Sequence, residues 1–184
     1  MFPHVPRLRR LVGCLSLIGF AAVALACAGG GGGPLSKVIG TVKMNEPLAF
    51  NDSTWVVVEA KDLGKVLKAT EPGDEDRKAD GRFILVRFKI SNTGKQVVLL
   101  GDDPPLIDDR DRTFETLGDR QKQYLPKGAK TLGEQDSDQI PAGITREFHA
   151  IYEVPTDARG LRLKAASFAE RRRRQQEGLI ELGL

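Results

Sequence analysis

Few side chains in this 184-residue chain have the chemistry of a reactive centre. It holds two histidines, His4 and His149, and two cysteines, Cys14 and Cys27. His4, Cys14 and Cys27 fall in or beside an apolar leader, so a Ser–His–Asp or Cys–His site in the body would have to use His149. His149 is expected mid-strand, on the face opposite Phe148, Ala150 and Tyr152. No Gly-x-Ser-x-Gly elbow occurs. His149 is therefore read as a surface histidine and the protein as no enzyme. One histidine and one cysteine do not make a typical zinc site. Carboxylates cluster at Asp74-Glu75-Asp76, Asp102-Asp103, Asp108-Asp109-Arg110-Asp111 and Asp136-Ser137-Asp138, all in expected loops. Calcium takes several such oxygens. The best Ca2+ candidate is Asp108, Asp109 and Asp111, although Arg110 and Arg112 interrupt it and no Asp-x-Asp-x-Asp-Gly pattern appears. The competing reading is solvated turns. The sharpest cationic feature is Arg171, Arg172, Arg173 and Arg174, flanked by Glu170 and Glu177. Four arginines suit anionic lipid heads, lipopolysaccharide or an acidic protein. No aromatic residue interleaves them to stack bases, so nucleic acid is not an expected partner. A solvated loop is the alternative.

These residues must be carried by a leader, a tether and a body. Arg7, Arg9 and Arg10 are the only charged residues before Cys27. They account for 3 of the 28 basic residues, which leaves 25 against 25 acidic ones in the remainder. The basic balance thus belongs to the leader, not to a nucleic-acid-binding surface. Leu11 to Ala26 is uncharged and apolar. It is shorter than the ~20 residues of a membrane span and suits the core of a secretory signal. Ala24-Leu25-Ala26-Cys27 resembles the lipobox of bacterial lipoproteins, with the first two positions in reversed order. Leu11-Val12-Gly13-Cys14 matches it letter by letter, but no apolar stretch precedes it. Cys27 is therefore the expected lipidation site, carrying diacylglycerol and an N-acyl chain. A plain secreted protein, or an uncleaved N-terminal anchor, is the alternative. Cys27 is the only cysteine left after residues 1–26, so the mature chain forms no internal disulfide. Gly29 to Gly33 is a run of five glycines, a flexible tether and not a phosphate loop, since no Gly-Lys-Ser/Thr closes it. The expected organisation is a signal peptide over 1–26, a lipidated cysteine with linker over 27–37, and one folded domain over 38–184.

The body reads as β. Arg82 to Ile90 alternates clearly: Ile84, Val86, Phe88 and Ile90 share a face opposed to Arg87 and Lys89. Shorter strands are expected at 38–44, 48–50, 55–60, 97–100, 106–107, 113–115, 146–154, 161–165 and 180–184. Asn51-Asp52-Ser53 and Asp108–Asp111 are read as hairpin turns. A short helix is expected near Leu63–Ala69, inside a polar stretch that reaches Gly81. Residues 118–140 are read as the least structured part. Frequent turns and no long amphipathic helix predict an antiparallel sandwich of about 7–8 strands, with an open barrel as the alternative.

Several landmarks resemble a known family. They are Trp55-Val56-Val57-Val58, Gly81 through Gly94, Leu106-Ile107-Asp108 with Arg112-Thr113-Phe114, Ile140-Pro141-Ala142-Gly143, and Tyr152-Glu153-Val154-Pro155. Together they resemble the bacterial immunoglobulin-like domain-of-unknown-function family 4352, common on lipoproteins and similar in fold to the mycobacterial immunoprotective extracellular protein. The resemblance implies an all-β, immunoglobulin-like sandwich and brings no established activity or functional residues. The expectation is an exported protein, lipid-anchored to the cell membrane or outer membrane and facing the periplasm or exterior. It would bind an envelope protein or the envelope itself. A calcium- or small-ligand-binding lipoprotein is the alternative.

Overall fold

A computed structural model describes residues 37–100, 103–133, 139–167 and 176–184. The leader, Cys27, the glycine tether, Asp102, Asp136, Asp138 and Arg171–Arg174 lie outside the described residues. The domain is an all-β sandwich, as the alternation predicts. The strands are β1 (Lys37–Lys43), β2 (Leu48–Ala49), β3 (Ser53–Leu67), β4 (Arg77–Asn92), β5 (Val98–Leu99), β6 (Leu106–Ile107), β7 (Thr113–Phe114), β8 (Gln139–Ile140), β9 (Thr145–Val154), β10 (Arg162–Ala166) and β11 (Gln176–Glu181). One sheet has the order β1-β11-β10-β6-β7 and the other β2-β3-β4-β9, while β5 and β8 form a separate ribbon. Five of the eleven have only two residues each, and of these β8 is the one that the sequence segments do not include. All pairings are antiparallel except β1 with β11, which run parallel. Sequence alternation does not encode that direction.

The core fills the space between the sheets. Trp55 stacks on Phe88 with ring centroids 5.6 Å apart, and Phe88 meets Phe148 at 5.8 Å. Ile84, Val86, Phe88 and Ile90 of β4, with Phe148, Ala150 and Tyr152 of β9, are wholly buried there. Leu106, Leu163 and Ile180 answer from the opposite sheet. Tyr152 donates its hydroxyl to Pro104 O at 2.6 Å, and burial pushes its phenol well above the ordinary range, so it stays neutral. Gly81 lies against the end of β9: a Cβ there would lie 2.0 Å from the carbonyl oxygen of Val154.

The helix expected near Leu63–Ala69 is a strand. Leu63, Val66 and Leu67 have helical spacing, but β3 continues through irregularities at Val57/Glu59 and between Asp62 and Val66. Gly64 takes φ 76° there, and its N–H donates to Asp62 Oδ1 at 2.8 Å. Such bulges destroy the period-2 signal that would mark a strand. The polar stretch before Gly81 likewise belongs largely to β3 and β4.

Residues 117–132 are also more ordered than the sequence suggests. Gly118–Tyr124 forms a 3-10 helix, and Leu125 and Leu132 are buried. This strap covers the outer face of the β2-β3-β4-β9 sheet with a second small core of Leu67, Phe83, Leu125 and Ile151. It also caps the β9 edge. Gln121 Oε1 accepts the N–H of Ile151 at 2.9 Å, and Lys130 O accepts that of His149 at 2.8 Å. A capped edge does not template pairing with another chain.

Candidate functional site

The two ends of the sandwich hold the residues of interest. At one end, β10 begins and β6 turns into β7. Here the structure brings Asp108, Asp109 and Asp111 into one hairpin turn, with Asp111 at φ 58°. Asp108 is buried. Its Oδ1 accepts the N–H of Arg112 at 2.9 Å and of Arg110 at 3.0 Å, and its Oδ2 accepts Arg112 Nε at 2.7 Å. Burial pushes this carboxyl up, but the amide and guanidinium of Arg112 and the amide of Arg110 outweigh it and hold it below the usual range. Asp157 pairs with Arg112 at 3.1 Å and with Arg110 at 2.7 Å. Arg162 donates to Asp108 O at 2.7 Å. The carboxylate a calcium ion would need most is thus neutralised by an arginine. Among the described residues, no group of three or more His, Cys, Asp or Glu is arranged to hold a metal ion.

His149 lies on the outer face, as expected, but half-buried beneath the strap. Burial lowers its pKa, opposed chiefly by the charge of Glu147. Its Nδ1 is buried and makes no hydrogen bond among the described residues. Its neighbours on β3 and β4 belong to a surface ion-pair row, in which Arg87 bridges Glu59 at 3.0 Å and Glu147 at 3.2 Å. Such exposed pairs contribute little. The row joins three strands.

The opposite end is where β3 begins, β4 ends and β9 begins. Its organiser is Asn92, which the sequence reading includes only within the Gly81–Gly94 landmark. Asn92 is buried, and its Nδ2 donates to Gln96 O at 2.7 Å and Ile140 O at 2.8 Å. Its Oδ1 accepts the N–H of Gly94 at 2.9 Å. Its main chain donates to Ile144 O at 3.0 Å and accepts from Gly143 at 2.9 Å. One side chain therefore fixes the 93–96 turn and β8, and its backbone fixes the 141–144 turn. From this frame three aliphatic side chains face water: Val97 at 56% exposure, Leu99 at 68% and Ile144 at 47%. Val98 and Ile140, paired across the β5–β8 ribbon, point the other way into the core. The uncharged run Gln96-Val97-Val98-Leu99, four residues after Asn92, is the sequence signal for this platform.

No family model matches the chain, and no curated protein matches it. Solved structures do. The yjhA protein of Bacillus subtilis is similar over 76% of this chain and 98% of its own, with 14% identity and a TM-score of 0.55. A functionally unknown protein of Listeria monocytogenes is similar over 73% of this chain and 79% of its own, with 13% identity and a TM-score of 0.55. The architecture is a β-sandwich, and these bacterial structures share its fold. The secreted protein MPT63 of Mycobacterium tuberculosis covers 77% of this chain and 95% of its own at 14% identity, with a TM-score of 0.48. Identities this low bear on fold alone.

Proposed function

We propose that this protein is an exported bacterial lipoprotein, acylated at Cys27, whose β-sandwich binds another component of the cell envelope without catalysis. The observation that carries the reading is the leader. Arg7, Arg9 and Arg10 precede an uncharged apolar stretch that stops at Ala26-Cys27, and the body after it contains no further cysteine. An unpaired thiol in an exported chain is accounted for by acylation, and two or three acyl chains suffice for stable anchoring. The same reading places the domain in the immunoglobulin-like family of unknown function. The landmark segments support this by forming β3, β4, the β6–β7 hairpin, the β8 turn and the end of β9. Arg171–Arg174 are proposed as the contact for an anionic partner. They join Ser167 to Gln176, which are held together by two hydrogen bonds of 2.8 and 3.0 Å.

Metabolic labelling with a clickable fatty acid tests the anchor. Wild type takes up label, and Cys27→Ser abolishes it; label persisting on Cys27→Ser refutes it. Capture of envelope components by the intact lipoprotein in detergent, compared with a variant carrying Ser at 171–174, tests the arginines. Equal capture by both removes them from the interface.

A further inference from the structure

The strap is fastened to the sheet in two parts. Its first part is held several times over. Leu117 N–H donates to Ile151 O at 2.9 Å, Gln121 Oε1 accepts the N–H of Ile151, and Gln123 O accepts the N–H of Thr70 at 2.9 Å. Beyond the buried Leu125 comes the loop Pro126–Lys130, which turns on itself through Ala129 N–H and Pro126 O at 2.9 Å. Thr131 and Leu132 are then buried again. Lys130 O fastens this loop to the edge of β9 by accepting the N–H of His149 at 2.8 Å.

The residue at that fastening is the only histidine of the body. Imidazole is the side chain whose ordinary pKa falls between pH 5 and 8. Charged groups face the ring from every element around it: Glu147 on β9, Arg87 directly opposite on β4 with Lys89 beyond it, Glu59 on β3, and Lys130 of the loop. Glu147 and Glu59 both bond Arg87, and Glu147 also reaches Lys89 at 3.7 Å, so these carboxylates are already shared by two cations. Beside the ring opens a cleft of about 320 Å³, lined by Gly128, Lys130, Thr145, Arg146, Glu147 and His149 itself. Solvent therefore lies alongside the imidazole while its Nδ1 stays buried.

The neutral ring can leave Nδ1 as a bare lone pair, whereas the charged ring carries an N–H on both nitrogens. Nδ1 has no hydrogen-bond partner among the described residues. Charging the ring in place therefore buries a donor without a hydrogen bond and sets a further cation beside Arg87. Burial disfavours the charged ring, and Arg87 adds to that. Glu147, the Lys130 carbonyl and Glu59 oppose it without prevailing, so the pKa lies below the ordinary value of 6.5. With the loop lifted, water reaches the ring and the proton binds more readily. Closure is thus favoured above the ordinary imidazole pKa and weakens as pH falls below it.

We propose that His149 is a proton-operated latch: neutral, it keeps the Pro126–Lys130 loop closed on the edge of β9, and charged, it releases the loop and bares that edge. The first part of the strap stays down, because Ile151 and Thr70 hold it. The device couples acidification to exposure of a strand edge, the part of a sheet that pairs with other chains. It needs no acyl chain at Cys27 and stands or falls apart from the anchor.

The test follows amide hydrogen exchange by NMR in the full chain in detergent, from about pH 7.5 to about pH 5.5, with each rate corrected for its intrinsic pH dependence. In this window Asp108 and Asp157, held below the usual carboxylate range, keep their charge. Protection of the His149 amide should fall several-fold, by at most ~10-fold per pH unit for one proton. The Ile151 amide, held by Gln121, should keep its protection. His149→Gln, which cannot take the proton, should show no such fall. Constant protection at His149, an equal fall at Ile151, or the same fall in His149→Gln overturns the proposal. The titration of the ring in wild type, assigned by its loss in the variant, decides the matter even where the variant folds poorly. A midpoint below the ordinary 6.5 is required, and one at or above it overturns the proposal.

Discussion

The two ends of the sandwich are built on the same device and put to different use. Each is organised by one buried polar side chain that bonds the backbone of nearby turns: Asp108 at one end, Asn92 at the other. Asp108 carries charge, so it must be matched, and Arg112, with Arg110 and Asp157 beyond it, closes the network on itself. Asn92 is neutral, and its amide is used up by two carbonyls and one N–H, with no counter-ion required. The surroundings of Asn92 are therefore free to be apolar. The residues richest in apparent chemistry thus serve as a structural latch, and a plain Ser-Asn-Thr-Gly turn supports the exposed surface.

The comparison breaks hardest at Asn92. Asn92→Asp puts a carboxylate against the carbonyl oxygens of Gln96 and Ile140, where Nδ2 now donates. An uncompensated buried charge should cost ~3–5 kcal/mol at neutral pH, measured by urea denaturation. The charged form is disfavoured in the folded state, so the folded pKa of this new acid is raised above its unfolded value. The native variant then binds more protons than the unfolded chain, and the loss shrinks as pH falls. A variant as stable as wild type at pH 7 would show that Asn92 pins nothing.

At the Asp108 end the sign is opposite and the effect smaller. Burial works against the Asp108 carboxylate, but its bonds to Arg112 and Arg110 lower its pKa, and Asp157 is lowered mainly by its bond to Arg112. A depressed carboxylate pKa means that the unfolded chain binds the proton more readily. The stability these groups contribute is present above the ordinary carboxylate pKa of about 3.9 and is lost as pH falls through the folded value. Wild-type thermal melts from pH 7 to pH 3 should therefore drop in Tm. Asp108→Asn keeps an acceptor for the two amides but turns an NH2 group toward Arg112 Nε. It should melt lower at pH 7 and show a shallower acid slope; an unchanged slope would remove Asp108 from the latch. Added millimolar calcium should leave Tm unmoved, because Arg112 occupies the carboxylate. A calcium-dependent rise would restore the ion-binding reading.

Sequence alternation revealed the sandwich wherever a strand is regular and one face is buried. The residues of β4 and β9 read as alternating because Phe88 and Phe148 face the core while Arg87 and Glu147 face water. Legibility failed where that rule is broken. β3 past Glu59 is bulged and reads as helix, and the strap reads as loop because its order comes from Leu125 packing against distant Ile151 of β9 and Gln121 accepting its N–H. His149 stands on the face that its alternation predicts, while the strap that half-buries it leaves no signal in the local sequence. Asp108, Asp109 and Asp111 share one turn, as their spacing predicts, while Asp157, which completes the ion-pair network through Arg110 and Arg112, lies 49 residues after Asp108 in sequence. The Asn92 platform is not legible locally because its hydrogen bonds reach 48 residues ahead to Ile140.

The smallest expected effect sharpens the comparison most finely. Leu99→Ser and Ile144→Ser remove aliphatic groups that already face water, so they forfeit little burial on folding. Each should change stability by no more than about 0.5 kcal/mol, the range of surface substitutions, as read from urea midpoints of the domain in detergent. Val98 and Ile140 sit one position away on the same ribbon and face the core, and Ile140→Ala should cost ~2–5 kcal/mol. A large contrast between neighbours on a two-residue strand is what a displayed surface on a rigid frame requires. If Leu99→Ser destabilised the fold as much as Ile140→Ala, Leu99 would be part of the core and this end would have no aliphatic surface to offer.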